Sequence, residues 1–150
     1  EAVPERLEGT SEVSVAEPRW VPRLVVEAVH LDQIREHGGL IGVRDENALE
    51  SALARARQRW GYEEDADLAR LAADYAFGIC SNHPFRDGNK RTAFLAAVIF
   101  LGLNGLDFVA SQDEVIEKML ALAAGHLDEL ELTEWIRSRI QPRSPHSTRL

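Results

Sequence analysis

An all-α bundle of about six helices is predicted by three observations. Apolar residues recur at helical spacing along most of the chain, the connections between these stretches are short, and one stretch, KRTAFLAAVIFLGLNG, is apolar nearly all round. A helix of that last kind lies at the centre of a core. With 150 residues, 45% of them hydrophobic, the chain is of single-domain size and can bury a substantial interior. No internal repeat is present.

The elements follow in order. Residues 1–19, EAVPERLEGTSEVSVAEPR, lack sustained periodicity and read as a tail or linker, with Val13 to Val15 a candidate short strand. Pro22 suits a first helical turn, and Leu24, Val25, Ala28, Leu31 and Ile34 keep helical spacing up to the stop at Gly38-Gly39. After GGLIGVRDEN, Asp45 can cap a second helix that carries Leu49, Ala52, Leu53, Ala56 and Trp60 on one face. A third helix over Asp67 to Ser81 buries Leu68, Leu71, Ala72, Tyr75 and Ile79. The apolar fourth helix ends at Asn104-Gly105, and LDFVA is a second candidate strand. Ser111 and Glu114 form a capping-box pattern opening a fifth helix to about Leu122. Leu130 to Ile140 makes a sixth, and residues 141–150 read as a disordered tail.

Charge restricts the partners. A net charge of −8 argues against a protein that wraps nucleic acid, which needs a broad basic surface, so any anion site must be local. The single cysteine, Cys80, excludes an internal disulfide and a four-thiolate metal site, and it is better read as core than as a nucleophile. No apolar run reaches membrane-spanning length, so the chain reads as soluble and cytoplasmic, with no membrane partner. Arg55 and Arg59, four apart, read as a solvated helix face, with an acidic partner as the alternative. His30 and His37 lack the carboxylate pattern of a metal site.

The loop SNHPFRDGNKR, between the third and fourth helices, carries the chemistry. Pro84 stiffens the turn after His83, Phe85 can anchor the loop inward, and His83 is then free to face the opening as a base. Asp87 offers the hard oxygen that Mg²⁺ prefers. Gly88 lets backbone approach a ligand, and the N–H groups of Asn89, Lys90 and Arg91 open the central helix, where anions bind favourably. Taken singly, these pieces also suit a solvated Asp-Gly turn with a helix cap. The whole set against the most apolar helix argues for a base beside a cradle for Mg²⁺ and phosphate.

HPFRDGNKRTA resembles the signature of the Fic/Doc (Fido) family, and HGGLIGVRDENALESALAR, LAADYAFGICSNHPF and NKRTAFLAAVIFLGLNG extend the resemblance over about residues 20–140. It implies a Fido-type helical bundle with the catalytic loop between two buried helices, and transfer of a nucleotide-derived phosphate group to a protein hydroxyl. Carried over by position, His83 is the general base, Asp87 the Mg²⁺ ligand, Gly88, Asn89, Lys90 and Arg91 hold the nucleotide, Arg91 also acts in catalysis, and Phe85 is structural. Fic enzymes transfer AMP and have a glycine where this chain has Lys90, followed by an arginine that is missing from Thr92, Ala93, Phe94 and Leu95. That departure favours the Doc branch, whose members move the γ-phosphate of ATP to a threonine of elongation factor Tu and halt translation. Neither Glu8-Gly9 nor Glu46-Asn47 matches the inhibitory helix of Fic enzymes, so control is expected in trans, from a cognate antitoxin. The alternatives are an AMP or nucleotidyl transferase, and an inactive Fido domain kept as a binding module.

Overall fold

The computed structural model describes residues 16–144. The expected strand at Val13 to Val15 and the last six residues of the C-terminal tail lie outside that range. Six helices and a two-stranded antiparallel sheet make up the described fold.

Helix α1, Arg23–His37, ends where Gly38 takes φ 87°. Its buried positions are Val26, His30 and Ile34, spaced four apart, whereas Leu24, Val25 and Ala28 are exposed, contrary to the face read from the sequence. Two contacts fix this rotation. His30 stacks on Phe85, and Arg23 reaches Glu46 and Glu50 of the next helix at 2.8 and 2.5 Å.

Helix α2, Glu46–Tyr62, is capped by Asp45, whose side chain accepts from the Ala48 N–H, and it buries Leu49, Ala52, Ala56 and Trp60 as expected. Helix α3, Leu68–Asn82, is capped by Asp67 in the same way and is buried on nearly every side from Leu71 to Ala76. It passes so close to α2 that a Cβ on Gly78 would stand 3.2 Å from the Ala52 backbone. Helix α4, Asn89–Leu103, packs along α3 and buries Thr92, Ala93, Ala96, Ala97, Phe100 and Leu101. The core therefore has two central helices, with the loop of interest joining them. Asn104 closes α4 and holds the Arg19 backbone through both its amide groups, at 2.9 and 3.0 Å, so attachment of the N-terminal segment begins within the expected tail.

Strand β1, Leu106–Phe108, pairs with β2, Ile140–Pro142, in the register Leu106↔Pro142 and Phe108↔Ile140. Gln141 and Pro142 are thus strand residues, where the sequence predicted the start of a disordered tail. Helix α5, Gln112–Ala123, is capped by the Ser111 hydroxyl, but Glu114 does not reach back to complete a box. Its carboxylate accepts from Trp135 Nε1 at 2.7 Å and from Arg139 at 2.5 Å instead. The reciprocal box belongs to Asp128 and Glu131, which open α6, Glu129–Arg137. That helix stops short of Ile140 because Ile140 is paired with Phe108.

Arg55 and Arg59 do not form a solvated face. Arg55 Nε donates to Asp74 Oδ1 at 3.0 Å and Arg59 Nε to Oδ2 at 2.7 Å, while both reach Glu129 at 2.6 Å. Arg70 joins the same Glu129 at 2.9 Å, so one network ties α2, α3 and α6 together.

Candidate active site

The loop from α3 to α4 begins with a backbone reversal at His83, whose φ of 50° and ψ of 55° make it the C-terminal cap of α3. The chain then turns inward. Pro84 and Phe85 are buried, Phe85 to 1% exposure, while His83 itself is exposed. Phe85 forms an antiparallel bridge with Val43, the Arg86 N–H donates to the Gly42 carbonyl at 3.0 Å, and the N–H groups of Arg44 and Asp45 donate to the Pro84 carbonyl. The segment after α1 therefore pins the loop along its length.

His30 supports it from below. It is only 3% exposed, its ring lies 4.1 Å from that of Phe85 at an interplanar angle of 15°, and its Nε2 accepts the Gly42 N–H at 3.2 Å. Burial holds its pKa below the ordinary histidine value, against the opposing pull of Asp87 and Glu27. Since Nε2 accepts, the neutral ring carries its proton on Nδ1.

Asp87 is half-buried, and its Oδ2 accepts the Leu40 N–H at 2.6 Å. The turn that delivers this N–H needs Gly39. At φ 120°, a Cβ there would stand 3.0 Å from the Asp87 Cβ. Gly88, at φ 77°, then starts α4 without a side-chain cap. The first N–H groups of the helix, from Asn89, Lys90 and Arg91, are thereby left to a ligand or solvent.

The Asn89 side chain is engaged within the loop. It accepts from the Phe85 N–H at 3.0 Å and donates to the Phe85 carbonyl at 2.9 Å, closing the loop on itself. What Asn89 can offer an anion is its backbone N–H. Lys90 and Arg91 are exposed, and with Gly88 and Asn89 they form one wall of a cleft of about 610 Å³. The opposite wall comes from α5, through Gln112, Val115, Ile116 and Met119, with Phe94 and Leu95 on the floor side of α4. His83 and Asp87 are not part of this lining; they belong to the same loop, on the His83 to Asp87 arm that precedes the cleft wall. Among the described residues no group of three His, Cys, Asp or Glu side chains could hold a metal. Asp87 is a single hard-oxygen donor beside an uncapped helix start, a donor type that suits Mg²⁺ if an anion supplies the remaining oxygens.

Several residues of the site escaped the sequence reading. His30, Gly39, Gly42 and Arg44 all lie before α2, about 40 to 55 positions ahead of the loop residues they support. The Gly38-Gly39 step was visible only as a helix stop.

A helical scaffold that presents His83 on a loop leading into an uncapped, cationic helix start suits a transferase of phosphorus-containing groups, and comparison with known proteins places it further. Residues 20–101 match the Fic/DOC family, and the chain belongs to that family. It is 33% identical over 110 residues to the Protein kinase doc of Escherichia phage P1, an alignment covering 73% of this chain and 86% of that protein. It is also 39% identical over 77 residues to the Toxin Doc of Mycolicibacterium smegmatis, covering 51% of this chain and 59% of that one. The chain is Doc-like. Among the described residues no helix is long and apolar enough to cross a membrane.

Proposed function

We propose that this protein is a Doc-type toxin kinase that moves the γ-phosphate of ATP to a serine or threonine hydroxyl of a translation factor, with elongation factor Tu the expected target and a cognate antitoxin restraining it in trans. The observation that carries this reading is Lys90. It stands on the first turn of α4, on the cleft wall, and the next turn offers Phe94 and Leu95 rather than a second arginine. AMP transfer by Fic-like enzymes calls for bare backbone and an arginine at those places, so the cleft favours the other nucleotide orientation. The named relatives, a protein kinase and a toxin, point the same way.

The chemistry follows from the loop. His83, exposed at the end of α3, accepts the proton of the target hydroxyl as that oxygen attacks phosphorus. The N–H groups at the start of α4 and the charges of Lys90 and Arg91 hold the phosphate oxygens, and their positive potential favours the negative charge that gathers there in the transition state. A Mg²⁺ ion held by Asp87 would neutralise phosphate charge. Phe85 keeps the loop rigid from inside the core.

Expression of the wild-type protein without an antitoxin tests the reading. Growth is expected to stop through loss of protein synthesis, and His83→Ala is expected to remove that effect. Normal protein synthesis with soluble wild-type protein present would overturn the toxin assignment.

A further inference from the structure

Among the described residues His83 is the one non-glycine with a positive φ. Left-handed backbone is unfavourable for a residue with a Cβ, and it persists where the surroundings over-determine it. Here one residue supplies three hydrogen bonds to the reversal. Arg44 Nε donates to the His83 carbonyl at 2.8 Å, its Nη2 to the Asn82 carbonyl at 3.0 Å, and its backbone N–H to the Pro84 carbonyl at 2.7 Å. Three consecutive carbonyls around the reversal are thus gripped by a single arginine.

Two further features suit Arg44 to this task. The carbonyls of Asn82 and His83 are the unsatisfied acceptors of the α3 C-terminus, where a cation is favoured by the helix dipole. Arg44 also immediately precedes Asp45, the cap of α2, so its backbone is fixed by a second helix. The Asn82 side chain donates to the Ala48 carbonyl at 3.1 Å and secures the same junction. The planar fork is the element a lysine lacks: it presents two donors to neighbouring carbonyls in a fixed geometry, which a flexible ammonium reproduces only in part.

We propose that Arg44 is a positioning residue for the reaction, holding His83 in the left-handed conformation that aims its imidazole at the target hydroxyl. This rests on the reading of His83 as the base. A small displacement of a catalytic group is expensive, and loss of the grip is expected to lower kcat by about 10- to 100-fold while leaving the KM for ATP unchanged.

The test combines kinetics with a direct view of the backbone. Arg44→Ala and Arg44→Lys are assayed for transfer from ATP, alone and in a His83→Ala background, and the Cα shift of residue 83 is followed by NMR. Arg44→Ala is expected to reduce kcat and to move the His83 Cα shift away from its left-handed value, with Arg44→Lys recovering part of both. In the His83→Ala background the arginine change is expected to add nothing, because it acts only through the imidazole. Equal losses in both backgrounds would contradict the proposal and place Arg44 against the substrate itself. Full kcat and an unmoved His83 shift in Arg44→Ala would contradict it as well. If the wild-type protein transfers nothing, the assignment of His83 as base fails, and the NMR arm still decides whether Arg44 sets its backbone.

Discussion

Arg59 Nε donates to Asp74 Oδ2 across 2.7 Å, and the Asp74 side chain has no solvent exposure at all. Burial pushes the Asp74 carboxyl above its ordinary range even with Arg59 and Arg55 beside it, so desolvation weighs heavily in this pair. Removing one partner is then far worse than having neither. Arg59→Ala is expected to destabilise the protein by up to about 3 kcal/mol, the low end of the cost of breaking a buried pair, since Arg55 remains as a partner for Asp74. Arg55→Ala, with Arg59 still in place and its own side chain half-buried, is expected to lose distinctly less. Urea unfolding of the two variants checks the order, and equal losses would remove Arg59 from its central place in the network.

His30 gives the fold a dependence on pH. Its folded pKa is held down by burial, so at mildly acidic pH the unfolded chain binds more protons than the folded one. Its contribution to stability is complete above its unfolded pKa of about 6.5 and is lost as pH falls through the lower folded value. Acid must charge a ring whose Nε2 is occupied in accepting the Gly42 N–H. His30→Gln, which can keep an acceptor for that N–H and does not titrate, is expected to flatten the fall in urea midpoint below pH 6.5. An unchanged slope in the variant would place the titrating group elsewhere.

Asp87 and Gly39 should behave as a unit in metal-dependent binding. Asp87→Ala is expected to leave the fold intact and to weaken ATP binding in the presence of Mg²⁺ much more than in its absence. Gly39→Ala is expected to do the same in part, since its new Cβ would press on the Asp87 Cβ from 3.0 Å and displace the carboxylate. Calorimetric titrations with and without Mg²⁺ measure both. Metal-independent losses would remove Asp87 from the role of ligand.

How much of this was legible in the chain depended on the distance between partners. The α4 helix, the loop and the inward Phe85 are local features, and their reading rests on adjacent residues. The buried face of α1 was not legible, because Leu24-Ala28-Leu31 and Val26-His30-Ile34 both satisfy helical spacing and only the distant Phe85 and Glu46 choose between them. Arg55 and Arg59 looked solvated because Asp74 and Glu129, their partners, are nineteen or more positions away from Arg55 and carry no mark of it in sequence. The strand at Gln141 and Pro142 exists through pairing with Leu106 and Asp107, a distant partner that residues 141–150 do not reveal by themselves. Asn89 shows the converse limit: its place in the motif was plain, but its two hydrogen bonds to the Phe85 backbone were not.

The claim that Lys90 sets the nucleotide for γ-phosphate transfer is tested most directly with ATP labelled at either the α or the γ phosphorus. A transferase moves the phosphorus that lies in line with its nucleophile, so the position of the label reports the orientation of the nucleotide. Incubated with bacterial lysate, the wild-type protein is expected to pass γ label to a translation factor and no α label. His83→Ala should reduce that transfer by about 10²- to 10⁴-fold with ATP binding retained. Lys90→Gly should lose γ transfer without gaining efficient α transfer, because Phe94 and Leu95 cannot take the place of an arginine. Efficient transfer of α label by the wild-type protein would contradict the account and make the protein an AMP transferase.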